Sequence, residues 1–142
     1  MKRIVGLDIG EKRVGLAVAE QGGSFAVPAG FLEVRSEEQA LGALADFLRE
    51  EEACEAVLGL PLNMDGSESA GSRKVRRMAE GLKALAPGLP LAFWDERLTS
   101  YDAESMLKAG ELKFRRKKGR VDAVAASLIL QGYLDSRPGR AA

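Results

Sequence analysis

The stretch Ile4–Val18, IVGLDIGEKRVGLAV, contains two apolar segments separated by a short polar link. The link Gly10-Glu11-Lys12 has the length that closes a β-hairpin, so the stretch predicts two antiparallel strands. Asp8 lies near the end of the first strand, which we expect to be central in its sheet. Because removing a lone charge from water is costly, this carboxylate needs a compensating partner. A turn hydrogen bond, a basic side chain or a metal ion could provide it.

The composition is that of an ordinary globular domain. The 142 residues are 46% hydrophobic and 30% charged, and this length is enough to bury a sizeable core. We therefore expect one domain over residues 1–138 and a short tail over 139–142. No apolar segment approaches the roughly 18 residues of a membrane span, so we expect no membrane partner and a cytoplasmic location. Cys54 is the only cysteine, which excludes a disulfide framework and a thiolate zinc site.

The chain contains no histidine. This excludes Ser-His-Asp and Cys-His nucleophile systems and removes the commonest transition-metal ligand. In an enzyme, proton transfer would then depend on carboxylates, lysine, tyrosine or water activated by a metal. The 21 acidic and 21 basic residues give a net charge of zero, but they are unevenly distributed. The segment Lys108 to Arg120 holds seven basic residues and one acidic residue, which makes it the most basic part of the chain.

The order of the predicted elements indicates the fold class. Three strands are predicted first, over 3–9, 13–19 and 24–34. A helix over 37–51 and a strand over 56–60 follow, and then a helix that is capped by Asp65 and Glu68 and runs to about 86. The remaining elements are a strand over 90–94, a helix over 101–109, an exposed basic loop over 113–120 and a helix over 121–135. The order βββαβαβαα predicts an α/β domain with an RNase H-like mixed sheet and helices on both faces. We expect strand one at the centre of this sheet, with both later strands beside it.

Acidic residues end three of the predicted buried elements. Asp8 ends the first strand, Asp95 and Glu96 end the last strand, and Asp122 begins the last helix. Sites in such sheets form outside the carboxyl ends of the strands, where Asp8 and Glu96 would point. The small residues 123–126 would let the last helix lie close to strand one. Because three carboxylates at one place repel one another, we expect a hard cation, Mg²⁺ or Mn²⁺, to hold them together.

This arrangement predicts a metal-dependent nuclease. Two such ions about 4 Å apart can activate water and stabilise the leaving oxygen in phosphodiester cleavage, and no histidine is required. Asp8, Glu96 and Asp122 are therefore the candidate catalytic and metal-binding residues. Each also has an ordinary structural interpretation, as a turn residue, half of a solvated ion pair and a helix-terminal acid, respectively. The hypothesis rests on three acids that the predicted topology brings together.

The chain resembles the YqgF family over roughly Lys2 to Asp135. Four blocks occur in the order and spacing of that family: GLDIGEKRVGLAV (6–18), VLGLPLNMDGSES (57–69), WDERLTS (94–100) and KGRVDAVAASLILQGYLD (118–135). The family comprises RNase H-like proteins described as Holliday junction resolvases and as nucleases that mature the 5′ end of small-subunit (16S) ribosomal RNA. The resemblance implies a hydrolase of phosphodiester bonds, acting on precursor ribosomal RNA or, alternatively, on branched DNA.

The resemblance also implies particular site residues. The metal-binding acids of the family fall on Asp8, Glu96 and Asp122, the positions that the element order already singles out. Asp95 adjoins Glu96 and could share the role. Ser100 stands where the family usually has threonine, and this departure keeps the hydroxyl group.

Basic and amide side chains near the acids are the candidate substrate-binding residues. Lys12 and Arg13 follow the strand-one acid and could reach a phosphate. Asn63 lies in the loop after the fourth strand, where it could bond a sugar or a base edge. Arg97 could either contact the substrate or hold the carboxylates in place. Further positive charge just before the last helix would lie near the phosphodiester, from Lys117, Lys118 and Arg120.

Other interpretations stay open. The pattern Asp-x-Gly followed by Lys-Arg-x-Gly also resembles the first phosphate loop of actin-like and sugar-kinase ATPases, but those proteins need two domains that close on the nucleotide. A non-catalytic RNA-binding assembly factor could keep the same acids for structure. The expected partner is nucleic acid, either precursor ribosomal RNA or branched DNA. Because a resolvase is a symmetric dimer and RNA trimming needs only one copy, we expect a monomer or a weak homodimer.

Overall fold

The computed structural model describes residues 2–99 and 119–137, and the elements within them form a five-stranded sheet with helices. The strands are β1 (Arg3–Ile9), β2 (Arg13–Glu20), β3 (Val27–Glu33), β4 (Ala53–Leu60) and β5 (Leu91–Asp95), and the helices are α1 (Glu37–Glu50), α2 (Ala70–Leu85) and α3 (Gly119–Ser136). A single 3₁₀ turn, Glu96–Leu98, follows β5. The predicted helix over 101–109 lies outside the described residues.

The sheet is mixed, with the strand order β3-β2-β1-β4-β5. Strand β2 pairs antiparallel with β1 and β3, whereas β4 pairs parallel with β1 and β5 pairs parallel with β4. The predicted α/β mixed sheet with a central first strand is confirmed. The expectation that both later strands lie beside strand one was wrong for β5. Strands β2 and β4 occupy the two sides of β1, which excludes β5 from β1, and β5 pairs with the outer side of β4.

The two faces of the sheet are covered by different helices. Side chains of β1 alternate between the faces, so Val5 and Leu7 pack with residues of α1 and α2, while Ile4 packs with α3. Asp8 has the same parity as Ile4 and therefore lies on the α3 face. Gly6 lets α3 approach closely, because a Cβ atom there would lie 2.7 Å from the Cβ of Leu130. Helices on both faces of the sheet are thus confirmed.

The start of α2 differs from the prediction. Ser69, not Asp65, is the N-cap: its hydroxyl accepts a hydrogen bond from the backbone N–H of Ser72 at 2.9 Å, and the Ser72 hydroxyl accepts from the N–H of Ser69 at 2.7 Å. Asp65 instead accepts hydrogen bonds from the N–H and hydroxyl of Ser67, which closes the preceding loop. Glu68 pairs with Arg76 at 2.7 Å. A helix cannot begin at Asp65 while Gly66 is in the left-handed region at φ +88°.

Other boundaries shift by a few residues. Strand β3 begins at Val27 rather than residue 24, and β4 begins at Ala53 rather than residue 56. Helix α3 begins at Gly119, so the last two residues of the predicted basic loop are helical. The remainder of that loop, residues 113–118, lies outside the described residues. Within residues 2–99 and 119–137, no helix combines the length and apolar character that a bilayer crossing requires.

Candidate active site

Asp8 is a half-buried carboxylate that has no compensating partner among the described residues. It lies near the carboxyl end of the central strand and pairs in register with Gly15 of β2. Within the described parts of the chain, no hydrogen bond or ion pair reaches its side chain. Burial, and after it the charge of the neighbouring Asp122 carboxylate, raise the pKa of Asp8 to about 6. No described residue therefore supplies the turn hydrogen bond or the basic partner that the sequence suggested. The third candidate is a metal ion.

Glu96 is a second carboxylate in the same condition. It is the first residue after β5 and lies over Gly59 of β4, where a Cβ atom would be 3.1 Å from the Glu96 carboxyl carbon and 2.5 Å from the Cδ1 of Ile129. The missing side chain at Gly59 thus makes room for the glutamate. Burial, and after it the charges of Asp8 and Asp95, raise the pKa of Glu96 to about 7. No described residue forms a hydrogen bond or ion pair with this carboxylate.

Asp122 differs from the other two acids because it has a counter-ion. The Nε atom of Arg13 lies 2.8 Å from the Oδ2 atom of Asp122. The side chains of Arg13 and Asp122 are 30% and 27% exposed. Helix α3 holds the residue against β2, because a Cβ atom at Gly15 would lie only 2.0 Å from the Asp122 carbonyl oxygen. Asp122 therefore lies at the end of α3 that faces the β1–β2 hairpin.

The three acids form an electrostatic group, but not a preformed metal site. The charge of Asp122 acts on Asp8, and the charge of Asp8 acts on Glu96. Among residues 2–99 and 119–137, no three acidic side chains are arranged to hold a single ion. The chemistry of the donors nevertheless fits Mg²⁺ or Mn²⁺, since two half-buried carboxylates lack a partner and a divalent cation would stabilise their ionised forms. Asp122 could join them after parting from Arg13.

The raised pKa values predict how stability depends on pH when divalent cations are absent. In the unfolded chain both groups titrate near pH 4, so between about pH 4 and pH 7 the folded protein holds more protons than the unfolded chain. The free energy of unfolding should therefore fall as the pH rises through this window. We expect chemical denaturation in EDTA to show this decline, with Asp8 contributing on the order of 3 kcal/mol. A decline that persists unchanged in Asp8→Asn would contradict the assignment.

Asp95 and Arg97 are bound to each other. The Nε of Arg97 lies 3.1 Å from both carboxylate oxygens of Asp95, and its Nη2 lies 2.7 Å from Oδ2. This pairing lowers the pKa of Asp95. Arg97 also donates from Nη1 to the carbonyl oxygen of Met64 at 3.1 Å, which joins the 3₁₀ turn to the loop after β4. Of the two roles expected for Arg97, these contacts favour holding the acidic segment in place, and they leave Asp95 engaged.

The other candidate substrate-binding residues differ in exposure and in the hydrogen bonds that they form. Lys12 is exposed at the tip of the β1–β2 hairpin. The Asn63 amide donates to the Ser67 hydroxyl at 3.0 Å and to the Glu68 carbonyl at 3.1 Å, so it stabilises its own loop. The backbone of Arg120 lies in α3, whereas its side chain, Lys117 and Lys118 lie outside the described residues.

Three features of the site were not predicted from the sequence. Lys74 of α2 donates to the carbonyl oxygen of Gly10 at 3.1 Å, which fixes the hairpin that follows Asp8. Gly15 and Gly59 make room for Asp122 and Glu96. A glycine inside a strand is a known sign of close approach, so these two positions carried a usable signal. Lys74 is one of several basic residues of an amphipathic helix, and nothing in its local sequence distinguishes it.

The sequence is similar to those of known proteins along nearly its whole length. A family model described as RuvX, Holliday junction resolvase, matches residues 2–136. A relative from Anaeromyxobacter sp. strain Fw109-5, named "Putative pre-16S rRNA nuclease", is 48% identical over 135 residues that cover 95% of this chain and 98% of the relative. A protein of the same name from Thermus thermophilus is 42% identical over 132 residues, covering 93% and 96%.

Solved structures show the same fold at low sequence identity. Thermus thermophilus RuvC in complex with a Holliday junction substrate superposes with a TM-score of 0.60 at 15% identity, covering 95% of this chain and 96% of RuvC. The fowlpox virus Holliday junction resolvase gives a TM-score of 0.57 at 12% identity, covering 94% and 98%. The RNase H-like arrangement expected from the element order is thereby confirmed. With the family model matching nearly the whole sequence, and relatives close to half identical across it, the chain belongs to the RuvX family.

Proposed function

We propose that the chain is a metal-dependent nuclease that hydrolyses phosphodiester bonds in the precursor of small-subunit ribosomal RNA. The observation that carries this proposal is a pair of half-buried carboxylates, Asp8 and Glu96, that have no partner among residues 2–99 and 119–137. The charge of Asp122 acts on the first of them. Partly buried carboxylates that lack a partner are energetically costly. Such groups are concentrated at functional sites, where a bound ligand compensates their charge. The choice of substrate is supported by the names of the relatives.

The residues of the chain would have distinct roles in this reaction. Asp8, Glu96 and Asp122 would hold Mg²⁺ or Mn²⁺, and the bound cation would supply positive charge that stabilises the phosphate during cleavage. The carboxyl groups of Asp8 and Glu96 must lose their protons first, so cation binding should strengthen as the pH rises through 6 to 7. Lys12 is exposed beside the site and can bind a phosphate oxygen, and Lys117, Lys118 and Arg120 would add positive charge.

A second candidate function is resolution of Holliday junctions, which the description of the matching family model favours. A junction has two strands that must be cut symmetrically, so a resolvase needs two copies of the site in a symmetric dimer. Ribosomal RNA processing makes no such demand. The oligomeric state in solution therefore helps to separate the two candidates.

The test is a side-by-side digestion with the purified protein. Precursor 16S ribosomal RNA that extends past the mature 5′ end and a synthetic four-way DNA junction are each incubated with Mg²⁺ or with EDTA. We expect Mg²⁺-dependent cleavage of the RNA, with little or no cleavage of the junction. Paired cuts in the junction by a dimer, with intact RNA, would favour the resolvase. Cleavage of neither substrate by the folded protein in Mg²⁺ or Mn²⁺ would refute the nuclease proposal.

A further inference from the structure

Asp122 is the only one of the three candidate metal ligands that has a cationic partner among the described residues. The Arg13 guanidinium contacts it through Nε at 2.8 Å, while Asp8 and Glu96 have no such partner. We infer that Arg13 is an exchangeable counter-ion of Asp122: a divalent cation must displace Arg13 to bind, and the released guanidinium then binds a phosphate of the substrate. This inference rests on the proposed function and adds a specific role for one residue.

The local structure explains why Arg13 lies where it does. Arg13 and Gly15 are two residues apart on β2 and therefore point to the same face of the sheet, the face covered by α3. Gly15 lets the backbone of Asp122 come close to β2. The first turn of α3 is thereby held beside the arginine, and the pairing follows from the packing of the helix. Arg13 thus occupies a carboxylate whose charge acts on Asp8.

The pairing also accounts for the lack of a preformed metal site. The described residues contain no group of three acids arranged to hold one ion, although three acids interact electrostatically. A guanidinium and a divalent cation at the same carboxylate oxygen repel each other, so each weakens the binding of the other. Asp122 therefore has to exchange Arg13 for the cation before all three acids can act together.

The exchange is energetically reasonable. An ion pair whose side chains are each about 30% exposed contributes little to stability, because solvent screens it. A divalent cation gains from the two unpartnered carboxylates as well as from Asp122, so it can replace the guanidinium. A freed arginine is well suited to phosphate, since its planar group can form two parallel hydrogen bonds. Metal binding and nucleic-acid binding should therefore strengthen each other through Arg13.

The inference is tested first by Mn²⁺ titration in the absence of nucleic acid, using calorimetry on the wild type and on Arg13→Gln. Removing the competing charge should tighten Mn²⁺ binding on the order of tenfold, which corresponds to about 1.4 kcal/mol. The matched control is Arg77→Gln, which breaks an exposed ion pair with Glu37 on the other face of the sheet and should leave Mn²⁺ affinity unchanged. An unchanged or weaker Mn²⁺ affinity in folded Arg13→Gln would show that Arg13 only positions Asp122, and would overturn the exchange.

A second measurement uses the wild type and does not depend on the variant folding. The Nε–H signal of Arg13 is followed by ¹H–¹⁵N NMR during titration with diamagnetic Mg²⁺. We expect the Arg13 signal to shift as its hydrogen bond to Asp122 is lost, while the Arg77 signal stays in place. An Arg13 signal that does not move at saturating Mg²⁺ would refute the inference. If instead the wild type binds neither Mg²⁺ nor Mn²⁺ at millimolar concentration, the proposed metal site itself is wrong.

Discussion

Asp8→Asn should lower the rate of Mg²⁺-dependent cleavage by at least about a thousandfold while leaving the fold intact. The amide has the shape of the carboxyl group but cannot carry its negative charge, so it is a poor ligand for a hard cation. No described residue hydrogen-bonds to the Asp8 carboxylate, so the substitution removes no hydrogen bond among the described residues. It also removes a half-buried charge, so in EDTA at pH 8 the variant should be more stable than the wild type.

The measurement is a single-turnover cleavage assay, combined with chemical denaturation to verify folding. A matched control is Asp46→Asn on α1, an exposed aspartate that pairs with Arg49 and lies on a helix covering the other face of the sheet. This control should cleave at the wild-type rate. An Asp8→Asn protein that keeps more than a tenth of the activity would exclude Asp8 as an essential ligand. Lower stability of that variant in EDTA would contradict the account of its burial.

Gly15→Ala should destabilise the protein by about 3 kcal/mol and should also impair cleavage. The added Cβ atom would lie 2.0 Å from the carbonyl oxygen and 2.4 Å from the carbonyl carbon of Asp122. The backbone fixes the position of the Cβ atom, and the Asp122 atoms that it meets are backbone, so no side-chain rotation can relieve the overlap. The start of α3 has to move away from β2, and the Asp122 carboxylate moves with it.

The control for this variant is Gly42→Ala in the interior of α1. A Cβ atom at Gly42 would meet nothing within 4 Å, and alanine is the better helix former. Gly42→Ala should therefore be as stable as the wild type or more stable, by up to about 1 kcal/mol. Equal denaturation midpoints for Gly15→Ala and the wild type would show that α3 does not lie against β2 in the way described.

Much of the fold was predictable because its signals are local. The hairpin of β1 and β2 follows from two apolar segments and a three-residue link, and the central position of β1 follows from the element order. The position of β5 beside β1 was predicted wrongly. Strand β5 can pair with β1 only if one side of β1 is unpaired, and β2 and β4 occupy both sides. The cap of α2 was also placed wrongly. Aspartate and serine are both good N-caps, and Gly66 with its positive φ decides in favour of Ser69.

The grouping of acids in the candidate site was predictable from the sequence, but their contacts and burial were not. Acids at the ends of three elements become neighbours in a sheet of this topology, so the electrostatic grouping of Asp8, Glu96 and Asp122 could be expected. The pairing of Arg13 with Asp122 could not, because the two residues are 109 positions apart and the sequence contains many other arginines and acids. The burial that raises the pKa values of Asp8 and Glu96 depends on how closely α3 packs, which no local pattern encodes.

The central claim is that Asp8, Glu96 and Asp122 together hold the divalent cation. Crystals of the protein soaked in Mn²⁺ and measured near the manganese absorption edge test it directly, because anomalous scattering locates the ion without reference to activity. The account predicts an anomalous peak among these three carboxylates, with the Arg13 guanidinium no longer bound to Asp122, and no such peak in crystals of Asp8→Asn. A peak at other acids, such as Asp95 or Asp65, with the three carboxylates free of metal, would contradict it.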